Sequence, residues 1–488
     1  MNTFANSLLV ETNHTTTANG ADCLRTTGEG LLDFFAVVGA LRNADMKRKH
    51  ELFERAVADN KELAAKILFY GRDIREGLGE RDTFRTLLTY AANRYPEMIR
   101  LNIPLIGFYG RFDDMYSLIG TKCEDDMWRA MKAQFELDLA NMGAGKPISL
   151  LAKWIKTPNA SSKNTRMLGA LTAKKLGYAN VKEFLPKLKA LRKYLDIVEI
   201  KISANSWSTI NYSAVPSNAM KRYRELFKTK DAERFCQFIE DVKSGKTTIN
   251  ANTIYPYDIV RNILNHNYDE VLEEQWKALP NYVEDGNNIL IVSDVSGSMT
   301  CCDKLPMSSS IGLGIYFAER CVGPFHNMFM TFSKNPTLNK IHGSTLYDKV
   351  WNMENADWGM NTDLDAVFRV VLNTAIKTNT SSEELPRAIV IISDMQIDRC
   401  LMQSSDFHSH WKQEFEAHGY VLPNVIFWNV NSESDAYHAD ANRPGVQYLS
   451  GHSVTAFKSL LHGLNKTPME AMLETILSDR YAAVTVAA

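Results

Sequence analysis

Asp294-Val295-Ser296-Gly297-Ser298 sets a carboxylate and two hydroxyls at alternate positions in a loop tightened by glycine. Three hard oxygens converging on one point suit Mg²⁺ (or Mn²⁺). Two later segments can complete the set. Trp358-Gly359-Met360-Asn361-Thr362-Asp363 places a threonine hydroxyl at a glycine-containing turn that opens a helix, and Asp394 follows the apolar run Ala388-Ile389-Val390-Ile391-Ile392-Ser393. The metal candidates are therefore Asp294, Ser296, Ser298, Thr362 and Asp394.

Such residues meet only if the chain between them builds a frame. Asn288-Ile289-Leu290-Ile291-Val292-Ser293 and the run before Asp394 are continuous apolar segments ending in polar loops, which predicts two buried central strands. Further strands are expected at 328–332, 425–430 and 446–449, with helices at 305–320, 362–376 and 407–418. Alternating strand and helix predicts a mostly parallel, doubly wound sheet, and the ligands of such sheets bind at the carboxyl ends of the strands. From about residue 28 to 280 the apolar residues instead recur at helical spacing, broken by short turns such as Gly77-Leu78-Gly79 and Thr157-Pro158-Asn159. This predicts a multidomain chain, α followed by α/β. Residues 1–20 form an extension, 21–284 an irregular HEAT-like α-helical solenoid that could close into a ring, and 285–488 the α/β domain. No sequence period repeats.

The net charge of −2 over 488 residues is unevenly spread. Residues 146–250 hold 21 basic and 8 acidic side chains, a net +13, between segments of −3 and −12. A cationic stretch of this size attracts a polyanion, of which nucleic acid is the commonest. Its densest part supplies the candidate RNA contacts Lys153, Lys156, Lys163, Arg166, Lys174, Lys175, Lys187, Lys189, Arg192 and Lys193. Trp154, Tyr178, Tyr194, Trp207 and Tyr212 lie nearby and can stack on bases or fill a core. The alternative is a solvated helical face that pairs with the acidic C-terminal third.

Seven cysteines show no zinc-binding spacing, and an odd count argues against a disulfide framework, so a reducing compartment is expected. No apolar run could span a bilayer, and the first residues lack the layout of a signal peptide, so the expectation is a cytoplasmic protein without membrane contact. Gly143-Ala144-Gly145-Lys146 lacks the earlier glycine and following hydroxyl of a phosphate-binding loop. The run from Arg72 to Asp82 alternates basic and acidic residues and is read as self-paired salt bridges holding an interhelical turn.

The order Asp294, Ser296, Ser298, Thr362, Asp394 resembles the metal-ion-dependent adhesion site of the von Willebrand factor A domain. The segments Arg72-Asp73-Ile74-Arg75-Glu76-Gly77-Leu78-Gly79-Glu80-Arg81-Asp82, Tyr109-Gly110-Arg111-Phe112-Asp113-Asp114, Val215-Pro216-Ser217-Asn218-Ala219-Met220 and Tyr255-Pro256-Tyr257-Asp258 resemble an uncharacterised family related to the Ro autoantigen (TROVE) proteins. In those proteins a ring of helical repeats is closed by a von Willebrand A domain. The resemblance implies a non-enzymatic RNA-binding protein. Its ring would hold the end of a misfolded small RNA in a central hole and a structured non-coding RNA on a basic outer face. Its Mg²⁺ site would be adhesive, leaving a coordination position for an acidic residue of a partner protein. Two other functions remain open: a metal-dependent protein-interaction scaffold that binds no RNA, and a Mg²⁺-dependent nuclease. The latter would need further carboxylates, for which Asp303, Asp363, Asp365 and Asp398 are the nearest in sequence.

Overall fold

The computed structural model describes residues 12–283, 288–356, 362–398, 407–458 and 464–486. The boundary expected at 284/285, the turn at 358–361 and Cys400 lie outside the described residues.

Residues 30–277 are helical, with short helices joined by tight turns. Asn60 shows how one such junction is made. It ends the Met46–Asp59 helix with extended backbone, and its side chain accepts a hydrogen bond from the Leu63 amide to start the Lys61–Arg72 helix. The buried faces of these helices follow the apolar spacing, as with Leu52, Phe53, Ala56 and Val57.

The C-terminal unit is a six-stranded sheet in the order β5-β4-β3-β6-β7-β8, with β3 Ile289–Ser293, β4 Met328–Thr331, β5 Leu338–Lys340, β6 Ala388–Ser393, β7 Asn424–Asn429 and β8 Val446–Ser450. All pairings are parallel except β4 with β5. Every residue of β3 and β6 is buried, as their unbroken apolar runs require. β5 is an addition to the expected strands: Leu-Asn-Lys on an edge offers neither an apolar run nor a full alternation. Helices at Leu346–Glu354 and Pro468–Ile476 are likewise additional. The chain winds from β3 to β4 on one side and reaches β6 on the other, so the strand order reverses between β3 and β6. A crevice at their carboxyl ends follows from that reversal.

Both ends of the helical run rest on this sheet unit. At one end the Gly30–Val37 helix packs against β8, and at the other the Pro256–Leu264 helix packs along the Cys301–Arg320 helix. The run is therefore closed through the sheet, and one apolar core extends across both units. A hairpin of β1 His14–Thr16 and β2 Asp22–Leu24 joins in, bridging from Gly20 to Asp398 and from Leu24 to Tyr437. Residues 480–485 reach back onto the helices. The Arg480 guanidinium donates to both carboxylate oxygens of buried Asp73 at 2.7 and 2.9 Å, and Lys66 Nζ donates to the carbonyls of Tyr481 and Val484. Among the described residues, no helix is long and apolar enough to cross a membrane.

The 72–82 run corrects one expectation. Arg72 pairs with Asp114, Asp73 with Arg480 and Glu80 with Arg42, while Arg81–Asp82 is the ion pair internal to the run among the described residues. Arg72, Asp73 and Glu80 hold distant segments together, because each faces a different neighbour once the helices stack.

Burial holds His438, packed against Phe427, down to about 4 from an ordinary 6.5. A ring kept neutral in the fold takes up a proton on unfolding below pH 6.5, so this contribution is complete above that value and is lost as pH falls toward 4. Unfolding in urea at pH 5 is expected to need about 2 kcal/mol less than at pH 7 from this group. His438→Phe removes that part of the difference.

Candidate functional site

Four of the five metal candidates meet in the crevice. Asp294 leaves β3 with its amide donating to the Ile392 carbonyl of β6 at 3.0 Å, which locks the loop to the neighbouring strand. Its carboxylate accepts from the Ser296 amide at 2.8 Å and from Ser393 Oγ at 2.6 Å. The hydroxyls of Ser296 and Ser298 lie 3.1 Å apart, and Ser298 hydrogen-bonds Asp394. Asp394 also accepts from the Gln396 amide at 3.1 Å.

Both carboxylates are buried. Burial, reinforced by the charge of Asp394, pushes Asp294 up to about 6. Burial also raises Asp394, opposed by the Ser298 hydrogen bond and reinforced by Glu433. Two desolvated carboxylates facing two hydroxyls, all hard oxygens, fit Mg²⁺ or Mn²⁺.

Thr362 is placed differently. Its amide donates to Asp398 Oδ2 at 2.7 Å, while its hydroxyl donates to the Gln396 carbonyl at 3.2 Å and accepts from the Asp398 amide at 3.1 Å. It is thus docked on the loop that runs on from Asp394, with its oxygen hydrogen-bonded to main chain rather than to the other four candidates.

The extra carboxylates near the site have structural occupations. Asp303 pairs with Arg261, Asp363 caps the Leu364–Thr378 helix through the Ala366 amide, and Asp365 accepts from Trp411 Nε1 at 2.9 Å. Cys301 and Cys302 beside the metal loop are free thiols.

The cationic candidates separate into two groups. Lys163, Arg166, Lys174, Lys175, Lys187, Lys189 and Lys193 are exposed on the Lys163–Lys175 and Val181–Tyr194 helices. Lys153, Lys156 and Arg192 are partly buried. Arg192 clamps the preceding turn by donating to the carbonyls of Ala152 and Ile155 and to Thr157 Oγ1. Lys153 pairs with Glu199, Lys156 with Asp113, and Lys175 with Glu124 and Asp125. Those partners all belong to the helical region, so the alternative of pairing with the acidic C-terminal third does not hold for these lysines.

A cavity of about 850 Å³ opens within the helical run, lined by residues drawn from 42 to 258. Arg42, Arg72, Arg75, Arg81, Arg111, Lys153, Arg192 and Arg222 line it against Asp82, Glu199 and Asp258, and Phe112, Trp154, Tyr255 and Tyr257 add aromatic surface. Arg42, Arg72, Arg81 and Arg111 each have an acidic partner, whereas Arg75 and Arg222 are exposed and have none among the described residues. Arg111 lies over the Trp154 ring at 4.0 Å. Of this lining, Lys153 and Arg192 were among the basic candidates read from the sequence and Trp154 among the aromatic ones. Arg72, Arg75 and Arg81 belong to the 72–82 run, whose alternating charges leave no basic excess, and Arg42, Arg111 and Arg222 come from separate segments.

The C-terminal unit, residues 288–480, matches the family described as Domain of unknown function (DUF7788). An uncharacterized protein of Acanthamoeba polyphaga mimivirus is 27% identical over 500 residues, covering 94% of this chain and 86% of that protein. The crystal structure of the Ro (RSR) protein of Deinococcus radiodurans is similar with a TM-score of 0.48 at 14% identity, over 92% of this chain and 99% of that one. The family described as Domain of unknown function (DUF2828) matches residues 17–109 and 129–288, which is more than half of the chain and takes in the whole cavity wall but for part of its Gly107–Phe112 rim, and the chain belongs to that family.

Proposed function

We propose that this protein is a non-enzymatic RNA-binding protein whose helical cavity holds single-stranded RNA and whose von Willebrand A-like unit holds Mg²⁺ for contact with an acidic residue of a partner. The observation that carries the reading is the cavity lining, in which eight basic side chains face three acidic ones beside four aromatic rings. Arginines neutralise phosphates while aromatic faces stack on bases whatever their sequence, which is the recognition chemistry of single strands. The exposed lysines on the 163–175 and 181–194 helices offer a second, outer surface for the phosphates of a folded RNA. A non-enzymatic reading is supported by the carboxylates around the metal site, since Asp303, Asp363 and Asp365 are committed to an ion pair, a helix cap and an indole.

In the cation site the metal would be held by Asp294, Ser296, Ser298 and Asp394. When bound, it supplies a Lewis-acidic position open to an outside oxygen. The protein's own part is to hold the two hydroxyls in place and keep both carboxylates away from bulk water.

Purification from the native host followed by sequencing of co-purifying nucleic acid tests the reading. The expected result is a set of small RNAs, bound with an affinity that falls steeply with salt. Protein free of RNA, with flat salt dependence for added RNA, would favour the scaffold alternative. Separately, MgCl₂ at about 100 times its dissociation constant is expected to stabilise the fold by about 2.7 kcal/mol in a thermal melt, and Asp294→Asn to abolish that gain.

A further inference from the structure

The cavity and the cation site share a wall. Tyr257, on the cavity lining, stands at the start of the Pro256–Leu264 helix, and its ring lies 5.2 Å from that of His452. His452 is buried and hydrogen-bonds Ser309 Oγ through Nδ1 at 2.7 Å. The next residue, Ser310, accepts the amide of Asp294 at 3.1 Å. Three contacts therefore lead from the cavity surface to the main chain of Asp294, whose carboxylate belongs to the cation site.

A second link runs in parallel. Arg261, on the same Pro256–Leu264 helix, pairs with Asp303, which sits in a left-handed turn at Cys302–Lys304 with φ of 55, 56 and 55°. That turn directly follows the Gly297–Thr300 segment of the metal loop. Non-glycine residues pay for such backbone with strain, so the turn persists only while its surroundings hold it. The two helices that carry these contacts are in close apposition: a Cβ added at Gly312 would lie 3.0 Å from the Pro256 carbonyl carbon. A shift of one helix is passed to the other with little slack.

We propose that the two sites are coupled, so that a divalent cation held by Asp294 and Asp394 raises the affinity of the arginine-lined cavity for single-stranded RNA, and RNA raises the affinity for the cation by the same factor. This rests on the functional reading above. The sign follows from charge, because a cation between the two carboxylates removes negative potential on the far side of the wall from the phosphates. Reciprocity follows from linkage.

The test is fluorescence anisotropy of a labelled short oligouridylate, titrated with the full chain at constant ionic strength with and without MgCl₂. Calorimetry of Mg²⁺ binding with and without the oligonucleotide reads the coupling from the other side. Coupling of about tenfold is expected in both directions. Mg²⁺ that merely competes for phosphates weakens binding, so a rise in affinity runs against the unspecific effect. Asp294→Asn and, independently, Ser298→Ala are expected to remove the rise. Arg261→Ala combined with Ser309→Ala is expected to bring it close to unity while each ligand alone binds within about twofold of the unmodified protein.

Oligonucleotide affinity that is equal or lower with Mg²⁺, while calorimetry records Mg²⁺ binding, would overturn the coupling and leave the functional reading standing. A rise that survives in both metal-site variants, or in the Arg261/Ser309 pair, would overturn it as well. No oligonucleotide binding under either condition, or no Mg²⁺ binding, would overturn both.

Discussion

Arg75→Gln together with Arg222→Gln is expected to weaken binding of a short single-stranded RNA about 100-fold at moderate salt. The two side chains face the cavity without acidic partners, although Arg75 also donates to the Phe108 carbonyl at 2.6 Å, so their charge is not neutralised, in contrast to the paired Arg42, Arg72, Arg81 and Arg111. A hydrogen bond to a charged group contributes about 1.5–3 kcal/mol, and loss of two accounts for the fold-change. Two fewer neutralised phosphates should also flatten the slope of log affinity against log salt by about 1.4. Both residues are exposed and are expected to leave thermal stability nearly unchanged. The comparison that isolates the cavity is Lys187→Gln with Lys189→Gln, the same charge change on the outer surface. If that pair reduces single-strand affinity as much as the arginine pair, the cavity is not where the single strand sits.

Asp114→Ala is expected to destabilise the fold by about 3–5 kcal/mol. Asp114 and Arg72 are 0% and 2% exposed and meet at 2.8 Å. The same carboxylate accepts from Arg85 Nε at 2.6 Å and from the Arg111 amide at 2.9 Å. Removing it leaves the buried Arg72 guanidinium without a counter-charge and frees three donors at once. Arg72→Met should cost markedly less, because Asp114 keeps Arg85 and the Arg111 amide while a side chain of similar length fills the space. Urea unfolding of the two variants decides the point, and equal losses would mean that the pair contributes by packing rather than by charge compensation.

The parts of the site that could be read from the sequence are those fixed by local pattern. The runs 289–292 and 388–392 are apolar at every position, as a strand buried on both faces requires, and polar residues placed directly after them must emerge at a sheet end. That logic places Asp294, Ser296, Ser298 and Asp394 near one another, and the structure brings them together. It did not settle Thr362, because whether a threonine on a third loop points its oxygen at a metal or at the main chain depends on how that loop docks, and here it docks on Gln396 and Asp398.

Charge was legible only as density. The run of lysines from 153 to 193 stands out in the sequence, yet most of it lies exposed on two helices, and Arg192 is spent on carbonyls of its own neighbourhood. The cavity arginines come from four places in the chain: Arg42, the 72–81 segment with Arg72, Arg75 and Arg81, Arg111, and Arg222. Their convergence is set by how successive helices stack and by the closure of the run through the sheet. The partners of the 72–82 run were hidden for the same reason, since Asp114 and Arg480 lie 42 and 407 residues from the side chains they meet. Residue type and short-range period thus determined the sheet, the helices and the cluster of oxygen-bearing side chains at the strand ends, because side-chain burial repeats with the backbone. Which charges face one another, and which face an empty space wide enough for a ligand, was decided by contacts distant in the chain, which no local period encodes.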